Sequence, residues 1–385
     1  CSKKVLKLMN APLRLAIVRQ KYRPDGGAER FIARALDALS SDALELNVIT
    51  RQWQGDTHPD WHIHLCNPKK YGRISRESGF AKAARACWQE NHFDIVQSHE
   101  RIAGCDIFRA GDGVHRRWLL QRQKILPRWK GRWLFYDRYH RYVMNAEQQM
   151  YADPALKQVI CNSQMVKKEI IADFGLSADK ISVIYNAIDH NVFVPATNSQ
   201  KQRLKTQYNI PQDKPCFIYV GSGFERKGLA AAISAIANTS SILLVVGSDK
   251  NQRKYEQLAT QLGCRQRIFF LGMQKKTLDF YQIADALLLP TLYDPFPNVI
   301  LEALSCGLPV ITSTSCGGAE FIQNGKNGFV CDALDIPALT EAIVQIPTNS
   351  AWSEMSQVAR ETILPYTPKR LSDELISLYK RILTL

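Results

Sequence analysis

The chain has 385 residues, 45% of them hydrophobic and 22% charged, enough for two or three domains with sizeable cores. The net charge of +14 is uneven, because residues 1–190 carry 31 Lys+Arg against 20 Asp+Glu, so the first half is expected to meet an anionic partner. Ten cysteines without a CxxC spacing exclude a zinc ribbon and a small disulfide scaffold, and no apolar run approaches the roughly 18 residues of a membrane span. Reduced thiols in a cytosolic protein are expected, and the first residues show no apolar export segment with a small-residue cleavage site.

Along the chain, short apolar or β-branched runs alternate with amphipathic stretches of helix length, the pattern of βα units around parallel sheets. The predicted strands of the first half are 13–18, 46–50, 93–99, 106–110, 158–163 and 181–186. Those of the second are 216–221, 241–247, 267–272, 286–291, 308–313 and 328–331. Two such series predict an α/β protein of two doubly wound Rossmann-like domains, residues 1–190 and 191–366, with a proline-bearing linker near 187–200. After Pro365 one amphipathic helix is expected, with Leu371, Leu375, Leu378 and Ile382 on one side, and it is assigned to the first domain. Open sheets of this kind bind ligands beyond the carboxyl ends of their strands, so the site is expected in a cleft that the two domains face.

Four stretches carry chemistry. Gly26 and Gly27 follow the first strand and precede a helix near Ala28, where bare amides and a helix start can meet an anion; a plain tight turn explains them equally well. Asp112 and His115 stand just after strand 106–110, at the expected rim of the site, although Asp112 could simply cap the next helix. In "VGSGFERKG" the loop from Gly221 to Gly228 sets Arg226 and Lys227 before a helix, so two cations and the helix dipole converge where a pyrophosphate could lie. No GxxxxGK[ST] accompanies them, which argues against a P-loop enzyme. Finally "YDPFPNVILEALSCG" reads as a stiff loop and a helix, with Asn298 as N-cap and Gly307 as its stop. Asp294 then lies past the strand end and Glu302 near the helix start, and each carboxylate could accept from a pair of neighbouring hydroxyls, as a sugar or ribose offers.

The segment from His115 to Tyr151 is basic and aromatic. Trp118, Ile125, Trp129 and Trp133 fall close to one helical face, and Pro127 is expected to kink or split that helix. An interfacial segment on an anionic bilayer fits this pattern, with tryptophans packed in a core as the alternative; no RNA-binding motif supports nucleic acid.

The second half from Phe269 to Val330 resembles the donor-binding half of the retaining family-4 glycosyltransferases of GT-B fold. It shares their acid-x7-acid spacing at Asp294 and Glu302, then Gly307, Pro309, Val310, Ile311, Gly317, Gly318 and Glu320. "GSGFERKG" is similar to the family's Arg-Lys diphosphate clamp and "DGGAER" to its N-terminal glycine loop, so the likeness covers essentially the whole chain. The resemblance implies a donor site of Gly26, Gly27, Gly221, Arg226, Lys227, Asp294, Asn298, Val299 and Glu302. In it Glu302 holds ribose hydroxyls, Asp294 the sugar, Arg226 and Lys227 the diphosphate, and the amides at Asn298 and Val299 assist. Asp112 is similar to an acceptor carboxylate of lipopolysaccharide-core members, with His115 beside it. The expected catalytic set is therefore Asp112, Arg226, Lys227 and Asp294.

This sequence departs from the family where aspartate replaces the first glutamate and Pro297-Asn298 replaces Phe-Gly, a change at the sugar-reading position. The chain has no DxD clamp, so metal-independent transfer without any cofactor is expected. The implied reaction is retaining transfer of glucose from UDP-glucose to a heptose of the lipopolysaccharide inner core. N-acetylglucosamine, galactose, galacturonate or mannose transfer to another envelope glycan is the alternative within the class. A noncatalytic membrane- or nucleic-acid-binding protein and a nucleotide-sugar epimerase are the alternatives outside it. Expected partners are a UDP-sugar, a lipid-linked glycan and an anionic membrane surface at 115–151, on the inner face of the inner membrane, and no nucleic acid.

Overall fold

The computed structural model describes residues 12–22, 44–54, 61–346 and 350–384. The chain divides into two compact units, residues 1–186 with 368–385, and residues 187–367.

In the first unit the strands are β1 (Leu13–Val18), β2 (Lys21–Tyr22), β3 (Leu44–Thr50), β4 (Gln52–Trp53), β5 (Trp61–Leu65), β6 (Ile95–Ser98), β7 (Ile107–Arg109), β8 (Gln158–Cys161) and β9 (Ile181–Val183). Seven form one parallel sheet in the order β5-β3-β1-β6-β7-β8-β9, and β2 pairs with β4 separately. From β1 the chain steps outward to β3 and β5, then returns to β6 and steps the other way, so its winding reverses between β1 and β6. The central strands β6, β7 and β8 are buried at every position, as parallel strands covered on both faces must be. Strand β5 was not predicted: "WHIHL" is a half-buried edge strand with polar residues, held by β3 pairing and a 2.9 Å contact between His64 Nε2 and Asn47 Oδ1.

Helix Arg73–Asn91 buries Phe80, Ala84 and Trp88 in a core with Val18, Phe108, Met150 and Tyr151. Helix Pro368–Thr384 belongs to the same unit; Leu371, Leu375, Leu378, Tyr379 and Ile382 are buried, and the Tyr379 hydroxyl donates to Gln97 Oε1 at 2.7 Å.

The helix expected over 115–151 is split at Pro127, and it breaks a second time at Asp137, which the spacing does not indicate. The segment folds as helices His115–Lys124, Arg128–Trp133 and Arg138–Ala152, with a 3-10 turn at Leu134–Tyr136. Pro127 cannot supply an amide to the preceding turn and instead caps the second helix. Asp137 starts the third, its carboxylate accepting from the amides of Tyr139 and His140 at 2.9 and 3.0 Å.

The second unit contains β10 (Cys216–Val220), β11 (Ile242–Val246), β12 (Ile268–Gly272), β13 (Ala286–Leu289), β14 (Val310–Ser313) and β15 (Gly328–Cys331). They form a parallel sheet in the order β12-β11-β10-β13-β14-β15, which reverses between β10 and β13. The four inner strands are wholly buried and the edge strands β12 and β15 half-buried. Each fully buried Leu or Ile in these runs contributes about 1.5–3 kcal/mol. The six strands lie inside the predicted ranges, shorter by up to two residues, because continuous apolar runs bounded by glycine and proline identify them.

Candidate functional site

The second sheet brings Gly221, Arg226, Lys227 and Asp294 together where its strand order reverses. Gly221 follows β10 at φ +151, and a β-carbon there would stand 2.3 Å from Lys227 Cδ, so a side chain at this position would push the lysine stem aside from the strand end. The loop is then pinned to the end of β13: the Leu292 amide donates to the Arg226 carbonyl at 2.8 Å and the Thr291 hydroxyl at 2.9 Å. Gly228, at φ +74, passes so close to Pro290 that a β-carbon would meet its carbonyl oxygen.

Asp294 is fixed by its backbone between the ends of β13 and β14, its amide donating to Ser315 O at 3.2 Å and its carbonyl accepting from Gly317 N at 2.8 Å. Its carboxylate, 7% exposed, lies 3.0 Å from Lys227 Nζ and 3.9 Å from Arg226 Nη2. Removing one partner of so buried a pair costs more than breaking a surface ion pair. Two cations converging at a strand end, with Arg226 the more exposed, can hold a charged diphosphate and stabilise negative charge developing on it.

Helix Asn298–Ser305 begins beside Asp294. Pro297, not Asn298, is its N-cap, and its side chain makes no capping bond, because the proline ring carries no acceptor. Asn298 and Val299 are its first residues and are half-buried. Gly307 stops the helix as expected: at φ +72 its amide donates to Leu304 O and the Leu308 amide to Ala303 O, both at 2.9 Å, the Schellman arrangement. Glu302, one turn in and 5% exposed, accepts a 2.8 Å hydrogen bond from the Tyr281 hydroxyl. The Gly317-Gly318 pair lies in a 3-10 turn against this helix, where a β-carbon on Gly318 would stand 2.4 Å from Ile300 Cδ1.

Gly26 and Gly27 lie outside the described residues. In the first unit Asp112 is 66% exposed, 3.9 Å from Arg101 Nη1. It does not cap helix His115–Lys124, whose N-cap is Val114 without a side-chain bond. The imidazole of His115 pairs with His140, Nε2 to Nδ1 at 3.0 Å. Burial, with Arg101 and His140 nearby, pushes its pKa down to about 3, so it is a neutral ring at physiological pH.

Sequence reasoning missed Tyr281, Arg101 and Glu147, all supplied by distant elements. No local spacing marks them: Tyr281, beside Phe280 on helix Thr277–Ile283, reads as a core aromatic, and Glu147 looks like a solvated helix residue.

Residues 25–192 match the description Glycosyltransferase Family 4, and residues 200–362 match Glycosyl transferases group 1. The lipopolysaccharide glucosyltransferase WaaG of Escherichia coli (strain K12) is 26% identical, over 93% of this chain and 97% of its own. A crystal structure of WaaG, a glycosyltransferase involved in lipopolysaccharide biosynthesis, superposes with a TM-score of 0.79 at 22% identity, covering 94% of this chain and 99% of that one. The lipopolysaccharide core biosynthesis glycosyltransferase LpsE of Rhizobium meliloti (strain 1021) is 25% identical over 89% of this chain and 92% of its own. Anabaena Alr3699/HepE in complex with UDP-glucose has a TM-score of 0.73 at 18% identity, over 96% and 100%.

Two parallel sheets with interleaved helices, each matched by one half of a glycosyltransferase, define a glycosyltransferase of GT-B fold. The chain belongs to glycosyltransferase family 4 and is similar to lipopolysaccharide core glucosyltransferase.

Proposed function

We propose that this enzyme transfers glucose from UDP-glucose, with retention at the anomeric carbon, to a heptose of the lipopolysaccharide inner core, and that it needs no metal. The observation that carries the reading is the Arg226–Lys227–Asp294 cluster at the strand reversal of the second unit, with helix Asn298–Ser305 starting beside it. Arg226 and Lys227 hold the diphosphate and stabilise the charge that stays on UDP when the glycosidic bond breaks. Asp294 accepts from sugar hydroxyls and Glu302 from the ribose, while Gly221 and the amides of Asn298 and Val299 leave room for and contact the phosphates. Asp112 and neutral His115 in the first unit bind the acceptor. WaaG and LpsE, named for lipopolysaccharide, support the acceptor, and the UDP-glucose complex of HepE supports the donor. Asp294 leaves N-acetylglucosamine, galactose, galacturonate and mannose donors, with another envelope glycan as acceptor, as the competing assignments.

Thermal-shift screening against a nucleotide-sugar panel tests the donor, since a ligand that binds only the native state stabilises it by RT ln(1 + [L]/Kd). UDP-glucose is expected to give the largest rise, and a larger rise with another sugar reassigns the donor. No shift with any nucleotide sugar overturns the reading. Anomeric coupling in the product reports retention, and activity lost in EDTA but restored by Mg or Mn sinks metal independence.

The enzyme is also placed by this reading on the inner face of the inner membrane. Among the described residues no helix is long and apolar enough to cross a membrane. Trp129, Trp133 and Tyr136 are 63%, 67% and 68% exposed, which removes the core-packing alternative for these rings and favours an interfacial role among basic residues.

A further inference from the structure

Glu147 is 2% exposed on helix Arg138–Ala152, and its carboxylate serves two different loops. From the loop after β6, Arg101 Nε donates to Glu147 Oε1 at 2.8 Å. From the turn after β7, the His115 amide donates to both carboxylate oxygens, at 3.0 and 3.2 Å. Arg101 also spans the loops, its Nη2 donating to Gly113 O at 3.4 Å and its Nη1 standing 3.9 Å from Asp112 Oδ2. A buried carboxylate is tolerated only when donors fill its lone pairs, and here those donors come from the two loops that flank Asp112.

The distances are unequal in a useful way. At 2.8 Å Arg101 is hydrogen-bonded to Glu147, whereas its Nη1 forms a longer ion pair with Asp112 Oδ2 at 3.9 Å. Burial alone would lower the Arg101 guanidinium, but the Glu147 and Asp112 carboxylates outweigh it and keep the side chain charged. We propose that Glu147 is a positioning residue for glycosyl transfer: by engaging Arg101 and the His115 amide it keeps the guanidinium from capturing Asp112 and so fixes the Asp112 carboxylate for the acceptor hydroxyl. This rests on the reading of Asp112 as an acceptor ligand.

The test compares Glu147→Gln, Arg101→Gln, the double variant and Asp112→Asn, measuring KM for acceptor and donor, kcat and Tm. Glu147→Gln is expected to raise acceptor KM about 10-fold, the scale of a misplaced binding group, with donor KM within about twofold. Adding Arg101→Gln is expected to recover much of that loss, because the released guanidinium is gone; a residue that only supports the fold would show additive damage instead. Arg101→Lys, which keeps the charge and loses the forked donors, carries the same test if Glu147→Gln fails to fold, and is expected to raise acceptor KM. An unchanged acceptor KM in a folded Glu147→Gln, alongside a raised one in Asp112→Asn, overturns the positioning role alone. Unchanged kinetics in Asp112→Asn overturns the acceptor reading itself.

Discussion

Gly221 shows how one missing methyl group can decide whether a cation reaches its partner. Lys227 crosses the end of β10 above it, and a β-carbon would overlap the lysine stem at a backbone angle that side chains seldom adopt. Gly221→Ala is therefore expected to displace Lys227 from Asp294 and weaken binding of the proposed donor, UDP-glucose, about 10-fold or more, read by isothermal titration, while the strand itself persists. Full affinity in the alanine variant would show that the clamp does not need this crossing. His115 gives a pH test. Its folded pKa of about 3 lies below the ordinary 6.5, so the unfolded chain takes up a proton first, and the neutral-state stability is present above pH 6.5 and lost as pH falls toward 3. At pH 5 that loss is about 2 kcal/mol relative to pH 8. Urea unfolding at both pH values should show a smaller acid loss in His115→Gln than in the unsubstituted enzyme, and equal losses would contradict the buried, neutral imidazole.

Among the elements, helix Arg128–Trp133 and the turn after it carry the exposed basic and aromatic side chains on which the proposed membrane contact rests. Arg128, Lys130 and Arg132 are exposed with Trp129 and Trp133, and Lys130 Nζ lies 5.1 Å from the Trp129 ring centre. Each basic residue near an anionic surface contributes about 1 kcal/mol, so replacing all three by glutamine is expected to cut binding to anionic vesicles about 100-fold in flotation, without moving Tm. Replacing both tryptophans by serine should reduce binding without changing its salt dependence, which separates the apolar term from the charge term. Binding to neutral vesicles alone would refute the anionic-surface reading. The sequence announces this segment as basic and aromatic and marks its break at Pro127, but it conceals the second one, because Asp137 begins a new helix inside what reads as one period. The same contrast holds for the strands: β10 and β11 are legible as continuous apolar runs, whereas β5 is an edge whose histidines resemble a loop. At the proposed donor site, Lys227 and Asp294 are legible through their motifs. The tie from Tyr281 to Glu302 is not, since the two stand 21 positions apart with a whole strand between them.

On the scale of the whole molecule, the two units are unequal in how the chain makes them. The second is one continuous stretch, residues 187–367, whereas the first is completed only by the last helix, residues 368–385. That helix buries Leu371, Leu375, Leu378, Tyr379 and Ile382, and at about 1.5–3 kcal/mol each they sum to roughly 8–15 kcal/mol, an upper estimate that rivals the entire stability of an ordinary domain. A chain ending at Thr367 is therefore expected to leave the first unit unfolded and the second intact. In circular dichroism it should show one remaining thermal transition, and limited proteolysis should leave a resistant core confined to residues 187–367. Because Arg226, Lys227, Asp294, Glu302 and Tyr281 all belong to that core, the truncated chain should still be stabilised by UDP although it transfers no sugar. Loss of UDP stabilisation on truncation would mean that the donor site requires the first unit. Survival of protected amides in β6 and β8 would mean that the last helix contributes far less than its buried face implies.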